Sequence, residues 1–147
     1  MTEQVNKQLL IDFVESVWNT GDVEAADRYI APVYTIHHDP GDPWDQQELD
    51  RAGDKERVRR SRAPFPDQCF RIHGLVADAD RVVMTWHWSA THQGDLPGFP
   101  ATGNAIRMSG ATVYYVENGR FTGHWQITDR LGVYAQLRQG QMTSSMS

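Results

Sequence analysis

The chain has 147 residues, with 39% apolar and 22% charged side chains, which is the size and composition of one globular domain. Its formal net charge of -5, from 14 basic and 19 acidic residues, argues against nucleic acids and anionic membranes as partners. Cys69 is the only cysteine, which excludes an internal disulfide and a cysteine-based metal site. We see no secretory signal and no apolar run of the ~20 residues that span a membrane, so we expect a cytoplasmic protein.

Hydrophobic periodicity divides the chain into a helical first half and a strand-rich second half. Leu10, Phe13 and Val17 recur at helical spacing and predict an amphipathic first helix. The predicted elements are, in chain order, helices over residues 3–19 and 22–29, a strand over 33–38, a helix over 54–62, strands over 68–76, 81–92 and 104–117, a last strand after Asn118-Gly119, and a short helix over 131–137. Helices followed by long antiparallel strands indicate an α+β fold. A strongly curved sheet wrapped around the N-terminal helices would form a cone with an open mouth.

The sequence predicts one domain over residues 1–138 and a polar, disordered tail over residues 139–147. We find no repeat, no linker and no second domain. The odd-numbered positions of the predicted sheet carry apolar side chains that need a cover: Val83, Ala111, Val113, Tyr115, Trp125 and Ile127. We therefore expect a homodimer formed through the sheets.

The last strand combines a polar face with an apolar face. Because side chains alternate along a strand, His124 and Gln126 share one face with Thr122 and Thr128. The opposite face is predicted to hold Phe121, Trp125 and Ile127. A strand with imidazole and amide groups on one face is a candidate wall of a pocket.

The register of the last hairpin decides which side chains meet across it. We predict a three-residue loop over 117–119 with a glycine bulge, which pairs Thr112 with His124 and Gly110 with Gln126. A two-residue loop would shift this register by one residue and turn the last strand over.

Several short motifs, taken in order, resemble the SnoaL-like polyketide cyclases of the nuclear transport factor 2 superfamily. These motifs are Phe13 with Trp18-Asn19-Thr20-Gly21-Asp22, Tyr29-Ile30-Ala31-Pro32, Thr91-His92-Gln93-Gly94, Pro100-Ala101-Thr102-Gly103, Glu117-Asn118-Gly119-Arg120, His124-Trp125, Asp129-Arg130-Leu131-Gly132 and Gln136-Leu137. Together they span residues 8–137. The resemblance implies a cone-shaped, cystatin-like roll with a mixed or antiparallel sheet.

The same resemblance implies a cofactor-free enzyme that closes a ring by intramolecular aldol condensation on an aromatic polyketide ester. It also implies an aspartate, just after the tryptophan of the last strand, that takes a proton from carbon and returns one to the new alkoxide. In this chain that position is Gln126. An amide cannot take a proton at neutral pH and can only donate and accept hydrogen bonds.

Three residues near the last strand are candidates for catalysis. The imidazole of His124 is suited to proton transfer at neutral pH, or it simply hydrogen-bonds a neighbouring strand. Gln126 either orients a substrate or is a neutral replacement in an inactive site. Asp129 is the nearest carboxylate and serves either as the acid/base or as the N-cap of the closing helix.

The candidate substrate contacts lie on the other strands. Thr112 would help Gln126 to hold a carbonyl oxygen. The remaining candidates are His92 at the rim, Tyr34 and His37 near the mouth, and the apolar wall or core residues Trp86, Trp88, Met108 and Tyr114. Flat aromatic walls suit a planar apolar ligand. We expect no metal, because the consecutive residues His37, His38 and Asp39 lack a spacing that converges on one ion. The resemblance implies that no cofactor is needed either.

These residues favour a cofactor-independent lyase, isomerase or cyclase that transfers protons on a hydrophobic, ring-bearing carbonyl compound. One alternative is an epoxide or ester hydrolase whose activated water is held by His124, Gln126 and Asp129. Another is a non-catalytic carrier of a small hydrophobic ligand, which the missing aspartate at position 126 favours.

Overall fold

A computed structural model describes residues 2–146 of the chain and the side chains of residues 2–141. The elements are α1 (Thr2–Phe13), which continues as a π-helical segment (Val14–Asn19), a 3₁₀ helix (Val23–Arg28), β1 (Ile30–His38), β2 (Glu48–Asp50), α2 (Arg51–Arg62), β3 (Cys69–Ala77), β4 (Arg81–Thr91), β5 (Ala105–Glu117), β6 (Arg120–Thr128) and α3 (Arg130–Met146). Helices at the N-terminus and a sheet built mainly from the second half confirm the predicted α+β class.

The six strands form one mixed sheet in the order β2-β1-β6-β5-β4-β3. Only the pair of β1 and β6 among these strands is parallel; the other neighbours are antiparallel. The helices cover one face of the sheet, where Leu10, Phe13 and Val17 enter the core as their spacing predicts. Because β1 and β6 run in the same direction, the residues after β1 lie beside the second half of β6.

The hairpin between β5 and β6 differs from the predicted one. Asn118 and Gly119 both have positive φ, 51° and 73°, as a two-residue type I′ turn requires, and Glu117 pairs directly with Arg120. Thr122 is then an extra residue, since the register shifts between the Val116–Phe121 pair and the next one. Phe121 is therefore fully buried, contrary to the prediction that it faces outwards.

The extra residue Thr122 exchanges the two faces for the side chains that follow it in β6. His124 and Gln126 therefore face inwards, as predicted. Their partners on β5 are Tyr114 and Thr112 respectively. The predicted register, with Thr112 opposite His124, is wrong by two residues.

The closing helix is longer than predicted. Its predicted span of 131–137 extends to Met146 in α3, so most of the segment predicted as a disordered tail is helical. One physical reason is that the glutamines and methionines of this segment favour helices despite its polar composition. Ser147 lies outside the described residues. Among those described, no helix is long and apolar enough to cross a membrane.

Candidate active site

The polar side chains of β6 point into the molecule. The imidazole of His124 is almost completely buried, whereas the neighbouring Trp125 is 40% exposed on the opposite face. Side chains alternate between the two faces of a strand, and the bulge at Thr122 determines which residues of β6 face inwards.

Asp39 is the centre of the buried polar network. It directly follows β1 and is completely buried. Its carboxylate accepts hydrogen bonds from four side chains: His124 Nε2 at 2.9 Å, Gln126 Nε2 at 3.1 Å, Arg130 Nη2 at 2.9 Å and Arg57 Nη2 at 3.3 Å. Such a carboxylate is fully paired despite its burial.

These contacts determine the charge of Asp39. Burial acts to raise the pKa of its carboxyl group, but the hydrogen bond from His124 and the charges of Arg57 and Arg130 outweigh it and lower the pKa below its ordinary value. Asp39 is consequently a carboxylate at neutral pH.

His124 links Asp39 to a buried phenol. Its Nδ1 lies 2.6 Å from the hydroxyl oxygen of Tyr34, while its Nε2 lies 2.9 Å from Asp39. Since ionised Asp39 can only accept, Nε2–H donates to it and Nδ1 accepts from the Tyr34 O–H. Burial lowers the pKa of His124, a change that the hydrogen bond to Asp39 only partly opposes. The imidazole is therefore neutral and has the tautomer that can receive a proton from Tyr34.

A second chain of hydrogen bonds holds Gln126. Trp86 Nε1 donates to Thr112 Oγ1 at 2.9 Å, and the Thr112 hydroxyl donates to Gln126 Oε1 at 2.6 Å. The Gln126 amide in turn donates to Asp39. Gln126 and Thr112 thus position the carboxylate; their contact with a substrate oxygen stays a prediction.

Arg57 approaches the same network from α2. Its Nη2 also donates to Asp42 Oδ2 at 3.0 Å, and its guanidinium group lies 5.5 Å from the ring centre of Trp18 in the π-helical segment. Neighbouring carboxylates, Asp42 foremost, raise the pKa of Arg57 although burial acts to lower it. The arginine is therefore a permanent cation inside the fold.

The other predicted inner residues surround this network or continue the core. The Tyr114 ring centre lies 5.9 Å from that of His124. Trp88 donates to Gln68 Oε1 at 3.1 Å and pairs with Met108 across β4 and β5. His92 is buried rather than at a rim, with Nδ1 3.2 Å from Thr102 Oγ1.

Two predicted residues lie away from the network. His37 is exposed and packs its ring against Tyr115. Asp129 Oδ1 accepts a hydrogen bond from Gly132 N at 2.9 Å at the start of α3, which is the capping alternative of the sequence analysis. Asp129 also borders an open depression of about 730 Å³ that includes His87 and Ile127.

Sequence reasoning missed the residues that organise the site, Asp39, Arg57 and Arg130. In the sequence, Asp39 stands out only as a possible metal ligand beside His37 and His38. The structure shows no cluster of three or more His, Cys, Asp or Glu side chains suited to a metal among the residues it describes.

Comparisons with known proteins agree with the fold and the motifs. The sequence profile of the SnoaL-like polyketide cyclase family matches residues 8–137. A structure described as a "putative polyketide cyclase" from Acidithiobacillus ferrooxidans is 65% identical, with a TM-score of 0.89 over 92% of this chain and 96% of that one. IdmH from Streptomyces antibioticus, described in the same words, is 29% identical, with a TM-score of 0.75 over 89% of this chain and 96% of that one. None of the curated proteins compared with the chain matches it.

Proposed function

Because the chain belongs to the SnoaL-like polyketide cyclase family, we propose that it is a cofactor-independent cyclase, lyase or isomerase that transfers protons on a hydrophobic, ring-bearing carbonyl compound. The observation that carries the proposal is the buried chain of hydrogen bonds from Tyr34 through His124 to Asp39. An oriented imidazole between a hydroxyl group and a carboxylate is the arrangement that makes a weakly basic hydroxyl oxygen able to accept a proton.

In the proposed step, the oxygen of Tyr34 takes a proton from a carbon next to the substrate carbonyl. The hydroxyl proton of Tyr34 passes at the same time to Nδ1 of His124, and Asp39 stabilises the imidazolium that forms. The electron pair of the broken carbon–hydrogen bond forms the double bond of an enolate. In a cyclase the enolate carbon then attacks a second carbonyl group, and the relay returns its proton to the new alkoxide.

The proposal also accounts for the amide at position 126. A carboxylate there would lie beside Asp39 and repel it, whereas the Gln126 amide donates to both Asp39 oxygens, at 3.2 and 3.1 Å. The carboxylate that contacts His124 therefore comes from the end of β1 instead of from β6. It supports the imidazole and does not take the proton itself.

Deuterium exchange tests proton abstraction without knowledge of the natural substrate. We expect the protein to catalyse exchange of the acidic carbon-bound protons of β-tetralone or of an aromatic β-keto ester in D₂O, followed by proton NMR. The rate should rise with pH as the imidazole of His124 loses its proton, below the ordinary pKa of histidine because burial lowers that pKa. Binding of these probes with exchange no faster than in buffer would contradict the proposal and favour a carrier.

We further propose a homodimer in which the outer faces of two sheets cover each other. Its support is the exposure of Trp125 and Ile127, at 40% and 47%, on that face. We expect a dimer in sedimentation velocity at micromolar concentration, and a monomer for a variant with Trp125→Glu and Ile127→Lys. A wild-type monomer under these conditions would contradict this interface.

A cytoplasmic location is also part of the proposal, supported by the single unpaired Cys69.

A further inference from the structure

The inner face of α2 carries two ionisable side chains. Asp54, Arg57 and Val58 are buried at the i, i+3 and i+4 positions that share one helix face. Asp50 pairs with Val33 of β1 and is the N-cap of α2. Asp54 therefore lies one helical turn, about 6 Å along the helix axis, beyond the point where α2 meets β1. The fold thus holds a carboxyl group and a guanidinium group over β1, where the relay begins.

The carboxyl group of Asp54 has no hydrogen-bond or ion-pair partner in the part of the chain that the structure describes. Asp54 is only 3% exposed, and its one charged neighbour in the electrostatics is Arg57, which forms no ion pair with it. Arg57 does not pair with the Asp54 carboxyl group, because its Nη2 donates to Asp39 and Asp42 instead. A buried carboxyl group without a partner costs several kcal/mol when it is ionised.

Arg57 adds a second unpaired group on the same face. Its Nε–H is buried and has no hydrogen-bond acceptor among the described residues. An unmade hydrogen bond to a buried charged group is costly, so such a donor points to an acceptor that arrives with a ligand.

The surroundings of Asp54 shift it towards its protonated form, which prevails below about pH 6. The titratable and charged groups that act with it are Arg57 on α2, Tyr34 on β1 and Tyr114 on β5. Burial raises the pKa of Asp54 to about 6, although the charge of Arg57 acts to lower it. A protonated carboxyl group can donate a hydrogen bond, which a carboxylate cannot.

We propose that Asp54 and Arg57 form the oxyanion site of the reaction, in which the Asp54 hydroxyl and the Arg57 Nε–H both donate to the carbonyl oxygen of the substrate. This assignment rests on the proposed proton transfer by Tyr34 and His124. It places the base on the sheet and the acid on α2, on two sides of one bound carbonyl group. It also specifies the ligand: a compound whose carbonyl oxygen lies next to an acidic carbon–hydrogen bond.

The atoms balance in this step. As Tyr34 takes the carbon-bound proton and passes its own to His124, the electron pair of the carbon–hydrogen bond forms a carbon–carbon double bond, and the π pair of the carbonyl group moves to its oxygen. That oxygen takes the proton of Asp54, which leaves an enol, an imidazolium and the Asp54 carboxylate. The reverse step restores the ketone and both side chains, and it deposits deuterium on carbon once the Tyr34 hydroxyl, which carries the abstracted proton, has exchanged with D₂O through His124.

Two substitutions at Asp54 separate catalysis from stability. Asp54→Leu removes the donor, and we expect the β-tetralone exchange rate to fall by about 10²–10³-fold, the range for loss of one oxyanion-site donor. The same variant should be at least as stable as the wild type at pH 7 in urea unfolding, because it removes an unpaired buried carboxyl group. Glu56→Leu, on the exposed side of α2, is the control and should keep the wild-type exchange rate.

Asp54→Asn keeps a hydrogen-bond donor that does not ionise. The wild-type exchange rate should fall as the pH rises through about 6, where Asp54 loses its proton, and this fall should be absent in Asp54→Asn. Exchange by Asp54→Leu at the wild-type rate, or an unchanged fall in Asp54→Asn, would overturn the oxyanion assignment and leave the relay intact. No exchange by the wild type would overturn the relay, and the assignment with it.

Discussion

Replacing Asp39 by alanine should lower the free energy of unfolding by roughly 3–5 kcal/mol, the range for breaking a buried ion pair from one side. The substitution removes one of the two carboxylates that pair with Arg57 and Arg130, leaving only Asp42, and it removes the acceptor of His124 and Gln126. Arg57 cannot regain water, because it is almost completely buried. Urea unfolding at pH 7 measures this loss.

Asp27→Ala is the control for this substitution. It removes a half-exposed carboxylate that pairs with Lys55 at 3.0 Å, and it should cost no more than about 1 kcal/mol. Equal losses in the two variants would show that the Asp39 network does not hold the fold together.

Acid should reduce the difference between the wild type and Asp39→Asn. The pKa of Asp39 is lower in the folded protein than its ordinary value of 3.8, because the hydrogen bond from His124 and the two arginines outweigh burial. The stabilisation is therefore complete above pH 3.8 and is lost as the pH falls through the folded-state pKa. Below it, protonated Asp39 and asparagine are alike, and the two unfolding curves should converge.

His124→Gln should reduce the deuterium exchange rate by about 10²–10⁴-fold, the usual contribution of a positioned general base. Glutamine still offers a donor towards Asp39, but it cannot receive the proton of Tyr34. The unfolding free energy should change far less than in Asp39→Ala, which separates lost chemistry from lost structure.

The matched control is His73→Gln, which changes an exposed histidine of β3 in the same way. It should exchange β-tetralone at the wild-type rate. A His124→Gln variant with wild-type exchange would remove the imidazole from the mechanism, however well the fold is preserved.

The sequence correctly predicts that His124 and Gln126 face inwards, but it assumes the wrong turn and a regular strand. The assumed three-residue loop and the regular strand would place His124 inside. The structure reaches the same orientation through a two-residue turn and a bulge at Thr122, each of which reverses the side-chain phase. Turn length and bulges depend on packing of residues such as Phe121, which local sequence does not specify.

The position of Asp39 could not be predicted from spacing. It lies 85 residues from His124 along the chain, and the two meet only because β1 and β6 pair in parallel. Periodicity identifies strands but not their neighbours. Two signals were available in the sequence. Asp39 directly follows a predicted strand, and the carboxylate that the family resemblance implies at position 126 is missing, so another part of the chain has to supply one.

The role of α2 was hidden by its composition. Its many arginines predict a solvated helix, and Asp54 and Arg57 share the buried face with only one apolar residue, Val58. Two ionisable residues at i and i+3, on the face that must pack against the sheet, distinguish this helix from a surface helix.

The most direct test of the account is the protonation state of the two ring nitrogens of His124, measured by ¹⁵N NMR of the folded protein at neutral pH. We expect a proton on Nε2, facing Asp39, and an Nδ1 without a proton that accepts a hydrogen bond from Tyr34. A proton on Nδ1, whether alone or together with one on Nε2, would mean that the imidazole has no free lone pair for Tyr34 and would contradict the relay.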